Sequence, residues 1–394
     1  MIRRPLRTLG AACTAAFTMA IATSAWAASE IKIGFMTTLS GPASAPGIDQ
    51  RDAFNLAIKT LGGELGGLKA NVITVDDQFS PDAAKQAADR LLRREKIDVL
   101  TGIIYSNVML AVAPAAFQNK TVVVSSNAGP AQLAGKECSP YFFSASWQND
   151  ATHEAGGQLV TNLGLKKVAL IAPNYPAGRD AAAGFKRFYK GEIALEMFPK
   201  LGQLDFAAEI AQLRAADVDG IYYFLPGGMG VNFSKQYSAA GMDPKITRVF
   251  QAYDADQQML TIGDVIENVM NVGQWSADMD NPQNKRFVAD FEKAYGRVPS
   301  MYASQAYDVA FLLDSAVKKV GGKIEDREAF LKAIKAADFK SVRGAFRFDR
   351  NQFPIQDQYS RVVTKTADGK YVNKLVDKVL SNHTDAYGSA CGLK

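Results

Sequence analysis

Small polar residues follow two of the apolar runs that the sequence predicts as strands. Tyr105-Ser106-Asn107 comes after the first run, and Ser126-Asn127-Ala128-Gly129 comes after the second. Small residues let backbone amides approach a ligand, and clustered N–H and hydroxyl donors in a dry cleft can hold a carboxylate without a formal cation. Capping of the helices that follow is an equally ordinary role for each residue. We therefore treat both segments as candidate anion-binding loops.

The sequence lacks the usual motifs of enzymatic chemistry. Its two histidines, His153 and His383, lie far apart, and the segment after His153 lacks the second histidine of a zinc-peptidase helix. There is no Gly-x-Ser-x-Gly elbow, and the glycine-rich loops at 62–67 and 226–230 match neither a phosphate loop nor a dinucleotide fingerprint. Asp76-Asp77 could bind a metal, but a solvated strand end or helix capping is the commoner role. We predict no enzyme, no cofactor and no metal.

The N-terminus has the pattern of a secretory signal peptide. A basic start with Arg3, Arg4 and Arg7 leads into an apolar, alanine-rich stretch that ends at Ala25-Trp26-Ala27. Small residues at these positions predict cleavage after Ala27, so that residues 1–27 form the signal peptide. No later stretch approaches the roughly 20 apolar residues of a membrane helix. We expect a soluble, exported, periplasmic protein.

Two cysteines remain once the predicted signal peptide, which contains Cys13, is removed. They are Cys138 and Cys391. An exported protein lies in an oxidising compartment, so a single disulfide between them is the simplest prediction. Two separate buried thiols remain open, because the sequence does not show whether the two Cα atoms come within bonding distance.

Composition and charge narrow the class of partner. The chain has 394 residues, of which 47% are hydrophobic and 22% charged, which permits a large core and favours two lobes. The formal net charge of +5 falls to +2 without the signal peptide, which holds three arginines and no acid. A nearly neutral chain has little electrostatic attraction to phosphate backbones. We therefore expect no nucleic-acid partner.

The elements that must position the candidate loops alternate between strand and helix. The first predicted series places strands at 31–36, 71–77, 98–102 and 121–125, with Ser80-Pro81-Asp82 starting a helix. A second series begins with a helix at 153–163 and has strands at 167–171, 191–198 and 220–224. Alternation of this kind predicts an α/β fold with two doubly wound parallel sheets. Such sheets bind ligands at the carboxyl ends of their strands, so the two facing sheets predict a cleft between them.

Taken together, several short motifs resemble those of type I periplasmic binding proteins of the leucine/isoleucine/valine-binding family. They cover most of the chain and comprise Ile31-Lys32-Ile33-Gly34, Leu39-Ser40-Gly41-Pro42, Asp76-Asp77, Phe287-Val288-Ala289-Asp290-Phe291, Ala306-Tyr307-Asp308-Val309 and Gly344-Ala345-Phe346-Arg347-Phe348-Asp349. The resemblance implies two α/β lobes joined by three crossovers, a ligand closed between them, and an ABC-transporter permease as partner. It also implies lobe 1 at 28–147 and 277–354 and lobe 2 at 148–276 and 355–394. We expect a monomer. The same fold also serves as the sensing module of signalling proteins, which remains an alternative.

The resemblance also implies roles for individual residues. The loops at Tyr105-Ser106-Asn107 and Ser126-Asn127-Ala128-Gly129 would hold a ligand carboxylate, and Tyr175 would be the aromatic clamp of lobe 2. Trp147 lies at the predicted lobe junction and is a further candidate wall of the site.

Two departures from the family pattern bear on the ligand. Amino-acid-binding members hold the ligand ammonium with an acid where this chain has Tyr253, and they carry a second aromatic wall where it has Gly227-Gly228. The loss of the acid leaves a buried cation unpaired, and the loss of the ring is expected to enlarge the pocket. Both changes favour an aromatic carboxylate, such as a benzoate or phenylpropanoid acid. Asp254 leaves an alternative open, because a one-residue shift in the alignment would restore a branched-chain amino acid or amide.

Overall fold

The computed structural model describes residues 1–2, 29–251 and 256–393. Within them, a six-stranded sheet has the order β2-β3-β1-β4-β5-β6, and its strands are parallel except at the β2–β3 pair. The strands of this sheet are β1 (Glu30–Thr37), β2 (Glu64–Leu65), β3 (Leu68–Asp76), β4 (Val99–Thr101), β5 (Val122–Ser125) and β6 (Phe142–Ser144).

The second sheet has the order β12-β13-β11-β10-β9-β7-β8, and β14 pairs with β13. Its strands from β7 to β11 run parallel, whereas β13 is antiparallel to β11, β12 and β14. The strands are β7 (Lys167–Ile171), β8 (Glu192–Met197), β9 (Gly220–Phe224), β10 (Thr247–Gln251), β11 (Met270–Gly273), β12 (Arg347–Phe348), β13 (Pro354–Lys365) and β14 (Tyr371–His383).

Helices cover the faces of both sheets, as the alternating pattern predicts. Their bounds are α1 (Ala45–Thr60), α2 (Pro81–Asp89), α3 (Ser106–Gln118), α4 (Ala131–Ala134), α5 (Asn149–Asn162), α6 (Pro176–Phe188), α7 (Ala207–Ala215), α8 (Gly228–Ala239), α9 (Asp256–Ile262), α10 (Pro282–Tyr295), α11 (Met301–Lys319) and α12 (Arg327–Lys335). The Ser80 hydroxyl accepts the Ala83 N–H at 3.3 Å and Pro81 starts α2, which confirms the predicted helix start.

The cores divide the chain into two α/β lobes. One large cluster joins residues 31–147 with residues 275–353, and the clusters of the second sheet join residues 155–272 with Val363 and Tyr371. The chain therefore passes between the cores three times, after Trp147, between Val272 and Trp275, and after Phe353. Two lobes with three crossovers are the arrangement that the resemblance to type I periplasmic binding proteins implies.

The C-terminal tail, residues 384–391, is bonded to residues of both lobes. Cys391 forms a disulfide with Cys138, and the two Cα atoms are 5.7 Å apart. Between the last strand and this bond, the Tyr387 hydroxyl donates to the Asp150 carboxylate at the start of α5 at 2.8 Å. The tail thus connects the segment after α4 to helix α5.

Of the described helices, none is long and apolar enough to span a bilayer. The predicted signal peptide falls outside the described residues except for its first two.

Candidate functional site

A cavity lies between the lobes, at the carboxyl ends of the strands in both sheets. Its first-lobe lining includes the ends of the loops after β4 and β5, and its second-lobe lining comes from helices α5 and α6 and the ends of β9 and β10. The residues that line it are Pro46, Ile104, Tyr105, Ser106, Asn127, Trp147, Asn149, His153, Tyr175, Ala177, Phe224, Pro226, Gln251 and Tyr302. This is where the strand-end rule for doubly wound sheets predicts a ligand.

The first turns of four helices meet at this cavity. Pro46 is in the first turn of α1, Ser106 and Asn149 begin α3 and α5, and Tyr175 precedes the first residue of α6. Neither Tyr105 nor Tyr175 uses its side chain to cap the helix that it precedes. First-turn N–H groups have no partner inside their helix and carry partial positive charge. The cavity can therefore hold an anion without a lysine or arginine.

Asn149 connects the polar groups of both lobes. Its amide nitrogen donates to the Ser106 hydroxyl at 3.0 Å and to the Asp180 carboxylate at 2.9 Å. Its amide oxygen accepts the Gly129 N–H at 3.1 Å. Asp180 also accepts the Ala131 N–H at 3.1 Å, and burial raises the pKa of its carboxyl. The Ser106 hydroxyl keeps its hydrogen, which is available for a ligand.

Aromatic rings form the side walls of the cavity. The rings of Tyr175 and Phe224 stack with 6.3 Å between centroids, and Trp147 meets Tyr302 edge-on at 6.2 Å. Tyr105 is 2% exposed, and burial together with the Asp77 charge raises the pKa of its phenol. These walls suit a flat ligand, because aromatic rings prefer stacked or edge-on contacts with one another.

His153 lies one helical turn after Asn149 and is also buried in the wall of the cavity. Its Nδ1 is 2.7 Å from the Tyr222 hydroxyl, and its ring packs edge-on against Phe224 at 4.8 Å. Burial lowers the pKa of His153 to about 3. The imidazole is therefore neutral at physiological pH and brings no charge to the site.

Formal charges are missing from the described part of the cavity wall. None of its described lining residues is Asp, Glu, Lys or Arg. The nearby acid Asp180 lies behind Asn149 and already accepts two hydrogen bonds. Ligand recognition by these residues thus depends on neutral donors, helix N-termini and rings.

The structure brings five of the sequence-predicted site residues to the cavity. These are Tyr105, Ser106, Asn127, Trp147 and Tyr175. Asn127 donates its side-chain N–H to the Ile104 carbonyl at 2.7 Å, which fixes the loop after β5 to the loop after β4.

Four other predicted residues in the same two loops do not line it. Ser126 donates its hydroxyl to Gln50 at 2.8 Å, and Gln50 returns a bond to the Ser126 carbonyl at 2.9 Å. The Ala128 carbonyl accepts from Ser125 at 2.7 Å, and the Gly129 N–H is used by Asn149. Asn107 is half-buried and outside the lining set. In this conformation Ser126, Ala128 and Gly129 support the loop, because their polar groups have protein partners.

Gly227 and Gly228 are not among the residues that line the main cavity. The Gly228 N–H donates to the Pro42 carbonyl of the first lobe at 3.0 Å. A Cβ atom on Gly227 would lie 3.2 Å from the Ala43 Cα atom and 3.3 Å from the Tyr105 hydroxyl. In this conformation backbone of the first lobe lies beside both glycines, and Gly228 lines a neighbouring cavity, so the expected enlargement stays a prediction. Tyr253 and Asp254 lie outside the described residues.

Sequence reasoning missed nine residues of the cavity, which are Pro46, Ile104, Asn149, His153, Ala177, Phe224, Pro226, Gln251 and Tyr302. Phe224 and Gln251 end strands β9 and β10, so a consistent use of the strand-end rule would have found them. The spacing of Asn149 and His153, four residues apart at a helix start, also puts both side chains on one helix face.

Comparisons with known proteins agree with the two-lobed fold. A family model described as periplasmic binding protein matches residues 30–370. The chain is 27% identical over 373 residues to Leu/Ile/Val-binding protein homolog 6 of Brucella melitensis, which covers 92% of this chain and 95% of that protein.

Two solved structures are similar over nearly their whole length. One is a solute-binding protein of an ABC transporter from R. palustris in complex with benzoate, with 29% identity, a TM-score of 0.86, and coverage of 92% of this chain and 100% of that one. The other is a solute-binding protein of an ABC transporter from Rhodopseudomonas palustris in complex with 3,4-dihydroxybenzoic acid, with 30% identity, a TM-score of 0.82, and coverage of 91% and 99%.

Proposed function

The chain belongs to the periplasmic binding protein family and is an ABC-type solute-binding protein, and on this basis we propose that its ligand is an aromatic carboxylic acid. The class would be that of benzoates or phenylpropanoid acids. The observation that carries the proposal is a cavity that combines helix N-termini and aromatic walls with no charged side chain among its described lining residues.

The ligand carboxylate binds at the first turns of α3 and α5. The Ser106 hydroxyl is free to donate to it, because its oxygen already accepts the bond from Asn149. Helix N-termini stabilise an anion through partial charges and unsatisfied N–H groups. A neutral His153 neither attracts nor repels the carboxylate in the physiological range.

The ring of the ligand packs among Tyr105, Trp147, Tyr175 and Phe224. The similar solved structures that bind benzoate and 3,4-dihydroxybenzoic acid support a ligand of this kind. A flat ring in an aromatic cleft gains contact area and favourable ring geometry together.

A branched-chain amino acid is the second candidate. It is favoured by the relatives named as Leu/Ile/Val-binding proteins and by Asp254, an acid next to the position where such receptors bind the ammonium. In that case Asp254 would supply the charge that the described cavity wall lacks.

The proposed mechanism is closure of the two lobes on the ligand, with lobe 1 at 28–147 and 277–354 and lobe 2 at 148–276 and 355–394. Cross-lobe bonds such as Gly228 N–H to the Pro42 carbonyl stabilise the closed form. The ligand adds contacts to both sides and so favours closure. A membrane permease recognises the closed, monomeric receptor in the periplasm after cleavage of the signal peptide following Ala27, and the chain catalyses no reaction.

Titration calorimetry tests the proposal. Mature protein, residues 28–394, is unfolded to remove bound ligand, refolded, and titrated with benzoate and with leucine. We expect benzoate to bind with micromolar or lower Kd and leucine to give no heat of binding. Leucine binding without benzoate binding would overturn the proposal in favour of the amino-acid candidate.

A further inference from the structure

A second cavity adjoins the proposed ligand site on the side of the β3–α2 turn. It has a volume of about 100 Å³ and is lined by residues of both lobes. Its apolar walls include Phe79 from the first lobe and Leu201, Leu204 and Met229 from the second, and it shares Tyr105 and Pro226 with the main cavity. None of its described lining residues carries a charge.

Phe79 reaches this cavity from a strained turn. Its φ is +58°, a left-handed conformation that is rare for a bulky residue, and the preceding Gln78 has a φ of +54°. The turn is held by the Asp76 and Asp77 carboxylates, which accept the N–H groups of Gln78 at 2.8 Å and Phe79 at 2.9 Å. Strain of this kind persists only where surrounding contacts maintain it, and it often marks a functional position.

The strained turn directs the Phe79 ring at two neighbours. The ring meets Tyr105 edge-on with 4.4 Å between centroids. On the opposite lobe, a Cβ atom on Gly202 would lie 3.4 Å from the Phe79 Cε1 atom, and the Gly202 N–H points to the Met229 sulfur at 3.3 Å. The cavity is therefore complete only when the lobes are together.

We propose that this cavity is a second subsite that holds the apolar end of the same ligand. The inference rests on the proposed function and narrows it to aromatic acids about two carbons longer than benzoate. An unfilled apolar cavity forgoes dispersion contacts, and cavities of similar size lined by apolar side chains bind small hydrocarbons. The shared walls at Tyr105 and Pro226 place this space next to the proposed position of the ring.

The test compares benzoate with two isomeric acids that carry two more carbons, 4-ethylbenzoate and 3-phenylpropanoate. Titration calorimetry on the refolded mature protein measures the Kd of each acid. We expect at least one longer acid to have a Kd about tenfold lower than that of benzoate, because each buried methylene lowers the Kd roughly fourfold. Leu204→Trp should remove this gain by filling the subsite and leave the Kd of benzoate within about twofold. Leu163→Trp is the matched control, because Leu163 and Leu204 are 39% and 41% exposed and Leu163 lies outside both cavities.

Several outcomes would overturn the subsite. One is benzoate binding at least as tightly as both longer acids in the unmodified protein. A second is that Leu204→Trp weakens the binding of all three acids equally. A third is that Leu163→Trp also removes the affinity advantage of the longer acids over benzoate. If leucine binds and none of the three acids does, the proposed function itself is wrong, and the subsite proposal fails with it.

Discussion

Asn149 is the residue whose contacts hold the polar side of the cavity together. It bonds to Ser106 in one lobe, to Asp180 in the other, and to the Gly129 N–H in the loop after β5. These bonds fix the Ser106 hydroxyl in the cavity wall and keep Asp180 behind it. The role is one of positioning, and it depends on a side chain with both a donor and an acceptor.

Replacing Asn149 by Ala should therefore weaken benzoate binding. Ser106 and Asp180 each lose a partner, and a lost buried bond costs about 1–3 kcal/mol, which corresponds to roughly 5- to 150-fold in Kd. Calorimetry on Asn149→Ala measures this. Asn107→Ala is the control, because Asn107 follows Ser106 in the first turn of α3 but does not line the cavity, and its Kd should stay within about twofold of the unmodified protein. Equal losses in both variants would contradict the role of Asn149.

Local position in the sequence is enough to predict that some candidate residues line the cavity. Tyr105, Ser106 and Tyr175 lie at helix starts after strands, and the cavity contains all three. Ser126 has the same local pattern, but its hydroxyl is bound by Gln50, which is 76 residues away in the sequence. A pairing over such a distance leaves no local signal. The sequence therefore could not show that Ser106 lines the cavity whereas Ser126 does not.

Among the elements, the alternating strands and helices could be predicted from the sequence. The strands that follow the third crossover could not. Strands β7 and β9 have the predicted bounds, because each is a short apolar run between turns. Strand β13 contains Gln356, Asp357, Gln358 and Arg361, which resemble an exposed loop in a sequence. In the fold Arg361 is 1% exposed and donates to Asn271 at 2.7 Å and to the Trp275 carbonyl at 2.8 Å. Tertiary hydrogen bonds thus make a polar segment into a buried strand.

The C-terminal tail leads to a prediction about the stability of the fold. Its disulfide joins Cys138 to Cys391, which are 253 residues apart. A cross-link over so long a segment restricts the unfolded chain, so the double change Cys138→Ser/Cys391→Ser should lower the free energy of unfolding by about 2–4 kcal/mol. Urea denaturation measures this loss.

The same variant should still bind benzoate with nearly unchanged Kd, since neither cysteine lines the cavity. The unmodified protein treated with a thiol reductant is the control and should lose stability by a similar amount. Unchanged stability in the variant would show that the Tyr387 bonds and packing hold the tail without the disulfide.

At the scale of the whole molecule, the two lobes supply complementary halves of one site. The first contributes Ser106, Trp147 and Tyr302, and the second contributes His153 and Phe224. Neither half alone surrounds the cavity, so under the proposed mechanism affinity and closure are linked and a ligand is expected to bind the closed form best. The two-lobed fold could be predicted because it follows from repeated local patterns. The chemistry of the cleft was harder to predict, because it depends on which side chains meet across two lobes.

The most direct test of the account is a crystal structure of refolded mature protein grown with equal concentrations of benzoate and leucine. We expect benzoate between the lobes, with its carboxylate within hydrogen-bond distance of the Ser106 hydroxyl and its ring against the aromatic walls. Leucine in the same place, with its ammonium on the Asp254 carboxylate, would contradict it.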